Sequence, residues 1–180
     1  PVTLEYLGEK PAVKEKKESK LKYLRTVLQE KDKSALFLLL AIFATNFGFN
    51  AIETYYSSFA TIYLGWSDSR AGMVLLFAPL SLIIAAVPVG KFSDKIGRKK
   101  AMVYGFIGIS IGVEILHYLD KLITQSQQIL FIMNIVVIIF TGFFYALVSI
   151  NSIVLVWEFS KKKKIGAFTG TFYLFSQGAQ

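Results

Sequence analysis

Residues 71 to 89 of this chain carry no ionisable side chain, and residues 101 to 119 carry only Glu114 and His117 as acidic or basic groups. Each run approaches the roughly 20 apolar residues that a helix needs to cross a bilayer. Between them lies a short, strongly charged stretch, Gly90 to Lys100. A soluble domain would have to bury both runs all round, whereas hydrocarbon accommodates them directly. With no water available in that medium, the backbone must satisfy its own hydrogen bonds, so uninterrupted runs of this kind cross as helices. The stretch from Gly90 to Lys100 therefore reads as a tight hairpin loop between two membrane spans.

Further apolar blocks extend the pattern. Spans are expected over residues 35–63, 71–89, 101–119 and 129–157, and a fifth begins at Ile165. The fold class is thus all-α, a polytopic membrane bundle with four full helices and the start of another. Residues 1–34 form a separate basic linker. Within it Leu21, Leu24 and Leu28 recur at helical spacing among lysines, the pattern of a short amphipathic helix lying on a membrane surface. Of 20 Lys and Arg, nine lie in this linker, five between Gly90 and Lys100 and four between Glu158 and Lys164, leaving Arg70 and Lys121 on the other side. Such a bias places residues 1–34 and both charged loops in the cytoplasm, with the spans in the cell membrane. The net charge of +8 is then an orientation signal and not a nucleic-acid surface. The chain starts without Met and stops inside an apolar run, so it is expected to be part of a longer protein.

Polar residues inside the spans mark faces that meet protein, water or ligand. Asn46, Asn50, Glu53 and Ser57 form one stripe on the first span. Two readings stand: asparagines that tie helices together with Glu53 near a mouth, or a substrate-facing stripe in which Glu53 accepts hydrogen bonds or carries a proton. Ser110, Glu114 and His117 share a face of the third span, and two readings stand for Glu114 and His117: a proton-exchanging pair or a snorkelling pair at the outer interface. Gly105, Gly108 and Gly112 line another face, as expected for close helix packing. The fourth span carries Asn134, Thr141, Tyr145, Ser149 and Ser152 with Asn151 beside them, and the fifth adds Thr169, Tyr173, Ser176, Gln177 and Gln180. Hydroxyls, amides and rings of this kind suit a neutral polyhydroxylated ligand, though Ser and Thr also serve as interhelical links. With no cysteine and one histidine, no metal-ligand set is present in the sequence, and no cofactor or catalytic machinery is expected.

The loop spells G-x-x-x-D-x-x-G-R-K-K from Gly90 to Lys100, which closely resembles the signature cytoplasmic loop of the major facilitator superfamily. The resemblance implies a conformational latch made by Gly90, Asp94, Gly97, Arg98 and Lys99. In it the aspartate meets a neighbouring helix N-terminus and the basic residues pair across the bundle. Phe47 to Thr54, Ala146 to Ser152 and Lys164 to Gly170 look like the sucrose and glycoside–pentoside–hexuronide branch, and most like helices seven to eleven of a twelve-helix protein. The implied function is secondary active transport of a sugar or glycoside, coupled to a proton or another cation, by alternating access against a missing first half. Asn46, Asn50, Glu53, Ser57, Tyr145, Asn151, Tyr173 and Gln177 are then the candidate substrate contacts. Alternatives are export of apolar, drug-like compounds, or a non-transporting membrane scaffold or sensor.

Overall fold

A computed structural model describes residues 25, 29, 33–122, 126–160 and 165–179. The amphipathic helix expected before residue 33 and the lysines at 161–164 lie outside the described residues. Among the described residues, five helices follow in order: α1 (Ser34–Ile62), α2 (Asp68–Ile96), α3 (Arg98–Leu122), α4 (Gln127–Phe159) and α5 (Ile165–Gln177). Four of them, α1 to α4, are long and apolar enough to cross a membrane. At 29 residues, α1 and α2 each extend ~43 Å, well beyond the ~30 Å hydrocarbon thickness, so their ends reach into the headgroup layers or the helices tilt.

The stretch read as a hairpin loop is almost entirely helical. α2 continues through Gly90 to Ile96 and α3 starts at Arg98, so the reversal is confined to Gly97. Lysine stems can lie along apolar surface with their ammonium groups in water, so charge alone need not end the helix. What ends it is Gly97, whose φ of 91° is a conformation that L side chains rarely adopt. Its amide donates to the Ser93 carbonyl and its carbonyl accepts from Ala101, so one helix is closed and the next opened within a residue. At the other end of the bundle, Ser67 and Ser126 cap α2 and α4 by accepting from the amides of Arg70 and Ile129.

α4 is the hub and packs against each of the other four helices, whereas α1 and α3 do not pack on each other. Apolar burial cannot drive helices together in lipid, so close van der Waals fit and interhelical hydrogen bonds must. The α3–α4 joint shows the fit. A methyl added at Gly108 would overlap the Phe144 ring, and Gly105 and Gly112 abut Val148 and Thr141 in the same way. These are the three glycines whose spacing predicts close packing. On the opposite side, Gly142 of α4 receives Ser81 of α2.

Hydrogen bonds tie the remaining joints. Tyr56 of α1 donates to Asn134 Oδ1 of α4 at 2.9 Å, and Asn151 of α4 donates to Ser93 Oγ of α2 at 2.8 Å. Trp157 of α4 donates to Thr169 Oγ1 of α5 at 2.8 Å. Where α4 begins, Trp66 donates to Gln127 Oε1, and Arg70 donates to the Gln127 carbonyl while lying over the Trp66 and Phe131 rings. Gly108→Leu is expected to cost about 1–3 kcal/mol through overpacking and to lower the thermal unfolding midpoint of the purified protein. Val103→Leu, on an exposed face of the same helix, should leave that midpoint unchanged.

Candidate functional site

The α1 stripe meets α4 about halfway along both helices. Tyr145 donates its hydroxyl to Asn46 Oδ1 at 2.8 Å, and its ring stacks on Phe49 with centroids 3.9 Å apart and planes 11° from parallel. Asn46 turns its amide back to the Ile42 carbonyl at 2.9 Å, and Asn50 does the same to the Asn46 carbonyl at 2.8 Å. These internal bonds fix both asparagine side chains against their own helix. One turn further, Glu53 is exposed, and among the described residues no cation lies within ion-pair distance of it. Ser57, half-buried, completes the stripe. Asn46, Asn50, Tyr145 and Phe49 thus form a fixed set of amide, hydroxyl and ring groups, with a carboxylate at its edge.

Phe49 also borders a groove of about 760 Å³ between α1 and α3. Ala41, Ala44, Thr45 and Gly48 line one wall, and Ser110 and Glu114 lie on the other. Phe49 therefore joins the Tyr145 cluster to a space that Glu114 also reaches. The apolar spacing of α1 conceals this role, because a phenylalanine in a membrane helix has no sequence signal beyond hydrophobicity.

The other predicted contacts lie elsewhere. Asn151 is only 1% exposed, and it spends its amide on Ser93 and on the Leu147 carbonyl, so it joins α4 to α2 near Gly97. Asn134 is likewise 1% exposed and engaged with Tyr56. Tyr173, 52% exposed, and Gln177, also exposed, lie on α5 and make no hydrogen bond with the α1 stripe. Ser176 is buried on α5 with its hydroxyl unpartnered. It follows Phe172 by one turn, as Asn46 follows Ile42, and Ile42 and Phe172 belong to one apolar cluster.

Glu114 and His117 make no ion pair with each other. Both are exposed, and His117 instead makes a T-shaped ring contact with Tyr118 and borders a small pocket beside Tyr55, Tyr56 and Phe59. Proton exchange between the two therefore lacks a direct contact. Their i, i+3 spacing puts them on one face without making their polar atoms meet.

At the basic end, Arg98 pairs with Asp94 Oδ1 at 3.5 Å and with Glu158 Oε1 at 3.3 Å. The second contact joins the start of α3 to the end of α4, two helices packed directly on each other. Asp94 pairs with Arg98, the first residue of α3, because the two stand four residues apart across the Gly97 break. Gly90 borders open space, where a methyl would meet nothing within 4 Å, and Lys99 is exposed beside Arg98. Glu158 is the partner the motif does not contain. Its position as the acid next to four lysines is its only sequence signal.

Comparison with protein-family models matches residues 3–180 to the model described as the Major Facilitator Superfamily. No curated protein and no solved structure matches the chain. The match covers nearly the whole chain and agrees with an all-helical bundle of membrane-spanning length, its two central spans joined through Gly97. This protein belongs to the Major Facilitator Superfamily, a family of secondary transporters.

Proposed function

We propose that this protein moves a sugar or glycoside across the cell membrane with proton coupling, by alternating access of two half-bundles of which these helices form one. The reading assigns them to the second half, helices seven to eleven, with the basic end in the cytoplasm. The observation that carries it is the Asn46–Tyr145–Phe49 cluster. Fixed amide and hydroxyl groups beside a stacked ring pair match a polyhydroxylated ring, which offers donors and acceptors at its edges and C–H groups on its faces. Strong positive charge, which a phosphate or carboxylate ligand would require, is lacking among the described side chains of that cluster. Asn50 and Glu53 extend the acceptor set, and Glu53 is the group placed to exchange a proton with water.

The test is uptake of a panel of radiolabelled sugars and glycosides by the full-length protein in vesicles. Tyr145→Phe removes a hydrogen bond worth about 1 kcal/mol and should weaken uptake of a transported sugar roughly fivefold, mostly through KM. Glu53→Gln should abolish the pH dependence of uptake. Unchanged uptake and pH dependence in Glu53→Gln would remove that residue from the mechanism. A panel with no transported sugar would overturn the substrate class.

The latch reading makes a separate forecast. Arg98 and Glu158 are partly exposed, so their pair is worth no more than about 1 kcal/mol and biases a conformational equilibrium without locking it. These 180 residues contain no cysteine, so in a full-length background cleared of any other cysteine, single cysteines placed among them can report the two states by labelling. Arg98→Glu should shift labelling by up to about fivefold, and adding Glu158→Arg should restore it. A double reversal no closer to wild type than the single one would show that the pair does not set the equilibrium.

A further inference from the structure

Below Gly97, α2 and α3 diverge while both remain packed on α4, and the wedge between them is an open crevice of about 660 Å³. Pro88 and Phe92 of α2, Tyr104 and Ile111 of α3, and Phe140 and Phe144 of α4 line it, so its walls are almost wholly apolar. A second crevice of about 290 Å³ adjoins it, sharing Pro88 and Phe143, and continues along α2 past Ile84 to Leu80 and Phe77. A polar cavity of about 470 Å³ adjoins its other end at Ile96 and is lined by Arg98, Lys99 and Lys100 together with Asp94 and Glu158. An apolar track thus ends at a charged chamber.

The charges there are not balanced. Asp94 and Glu158 both face Arg98, and among the described residues Lys95, Lys99 and Lys100 have no acidic partner. Lys100 precedes Tyr104 by one turn and shares its helix face with Ile107 and Ile111. Lys95 stands three residues after Phe92 and shares that residue's face. Lys100 lines the charged cavity, and Lys95 directly precedes Ile96, the residue common to both cavities, so each helix carries an ammonium group close to that junction. From Lys100 to Ile111, α3 descends ~16 Å at 1.5 Å per residue, close to half the ~30 Å hydrocarbon thickness. The first crevice thus has the depth of about one leaflet, with its charged mouth at the basic end of the bundle, and the second crevice carries the apolar track deeper.

We propose that the wedge between α2, α3 and α4 is a binding site for an anionic phospholipid, its tail in the apolar track and its phosphate between Lys95 and Lys100. Charge complementarity selects this occupant. A zwitterionic lipid would fill the track but bring its own headgroup cation up to the ammonium groups, whereas basic pockets between helices attract headgroups of net negative charge. Seated there, the lipid contacts both sides of the Gly97 hinge and adds an anion next to the Arg98–Glu158 pair. Its occupancy is therefore coupled to the geometry of the α2–α3 turn.

The test equilibrates full-length protein with vesicles of equal phosphatidylglycerol and phosphatidylcholine, then measures retained lipid by native mass spectrometry. Retention should favour phosphatidylglycerol by about tenfold or more. Lys95→Gln with Lys100→Gln should bring the ratio close to one, while Lys121→Gln at the opposite end leaves it unchanged. Ile111→Trp, which fills the crevice, should reduce retention of both lipids. On the wild-type protein, which needs no variant to fold, phosphatidylglycerol with a diazirine tail should crosslink to peptides containing Ile111 or Phe140. Equal retention of the two lipids, an unchanged ratio in the double variant, or crevice crosslinks only to another protein segment would each overturn the proposal.

Discussion

Everything in this bundle depends on what α4 offers its neighbours. In hydrocarbon a leucine gains nothing by leaving lipid for protein, so helices associate only where surfaces fit closely or polar groups find partners. α4 does both. It seats its Phe144 ring where α3 has Gly108, yields Gly142 to Ser81 of α2, and uses Asn134, Tyr145 and Asn151 to reach α1 and α2. Glycine notches bring backbones close, and buried amides then bond at distances that only close backbones allow. A change at one joint is transmitted through the same helix to the others.

The same residue chemistry serves two purposes along α1 and α4, and position decides which. Asn134 and Asn151 are sealed and hydrogen-bonded to neighbouring helices, so they hold helices together. Asn46 and Asn50 are only half-buried, beside the stacked Phe49 and Tyr145 rings and an exposed Glu53. A polar group with bonding capacity at an accessible edge can meet a ligand, and one sealed between helices cannot. The proposed substrate surface is therefore a small subset of the polar residues in the spans.

At the basic end, a single residue of unusual backbone geometry reverses the chain, and charged side chains from three helix ends gather around it. Arg98 bridges Asp94 and Glu158, while Ser93 is held by Asn151 immediately below. The buried Ser93–Asn151 bond is a rigid anchor, and the exposed ion pairs above it are weak and exchangeable. A firm base beneath a loose electrostatic clasp is what the proposed latch would require.

The architecture was largely legible in the sequence. Apolar run length, the side-to-side imbalance of Lys and Arg, and the Gly105–Gly108–Gly112 spacing specify membrane helices, their alternation and one packing face. These properties follow from local composition and helical periodicity alone. Helix ends were less legible: the stretch from Gly90 to Lys100 has the composition of a loop, but lysine stems tolerate helix and only Gly97 breaks it. The candidate site was legible only as stripes. The sequence puts Asn46, Asn50, Glu53 and Ser57 on one face of α1, yet it cannot say that Tyr145 and Phe49 complete that face while Asn151 turns to Ser93. Nor can it show that Glu114 and His117 share a face without pairing. Periodicity determines which side of a helix a residue occupies. Which helix that side meets, and at what depth, is set by packing between segments distant in sequence, and only the tertiary structure decides it.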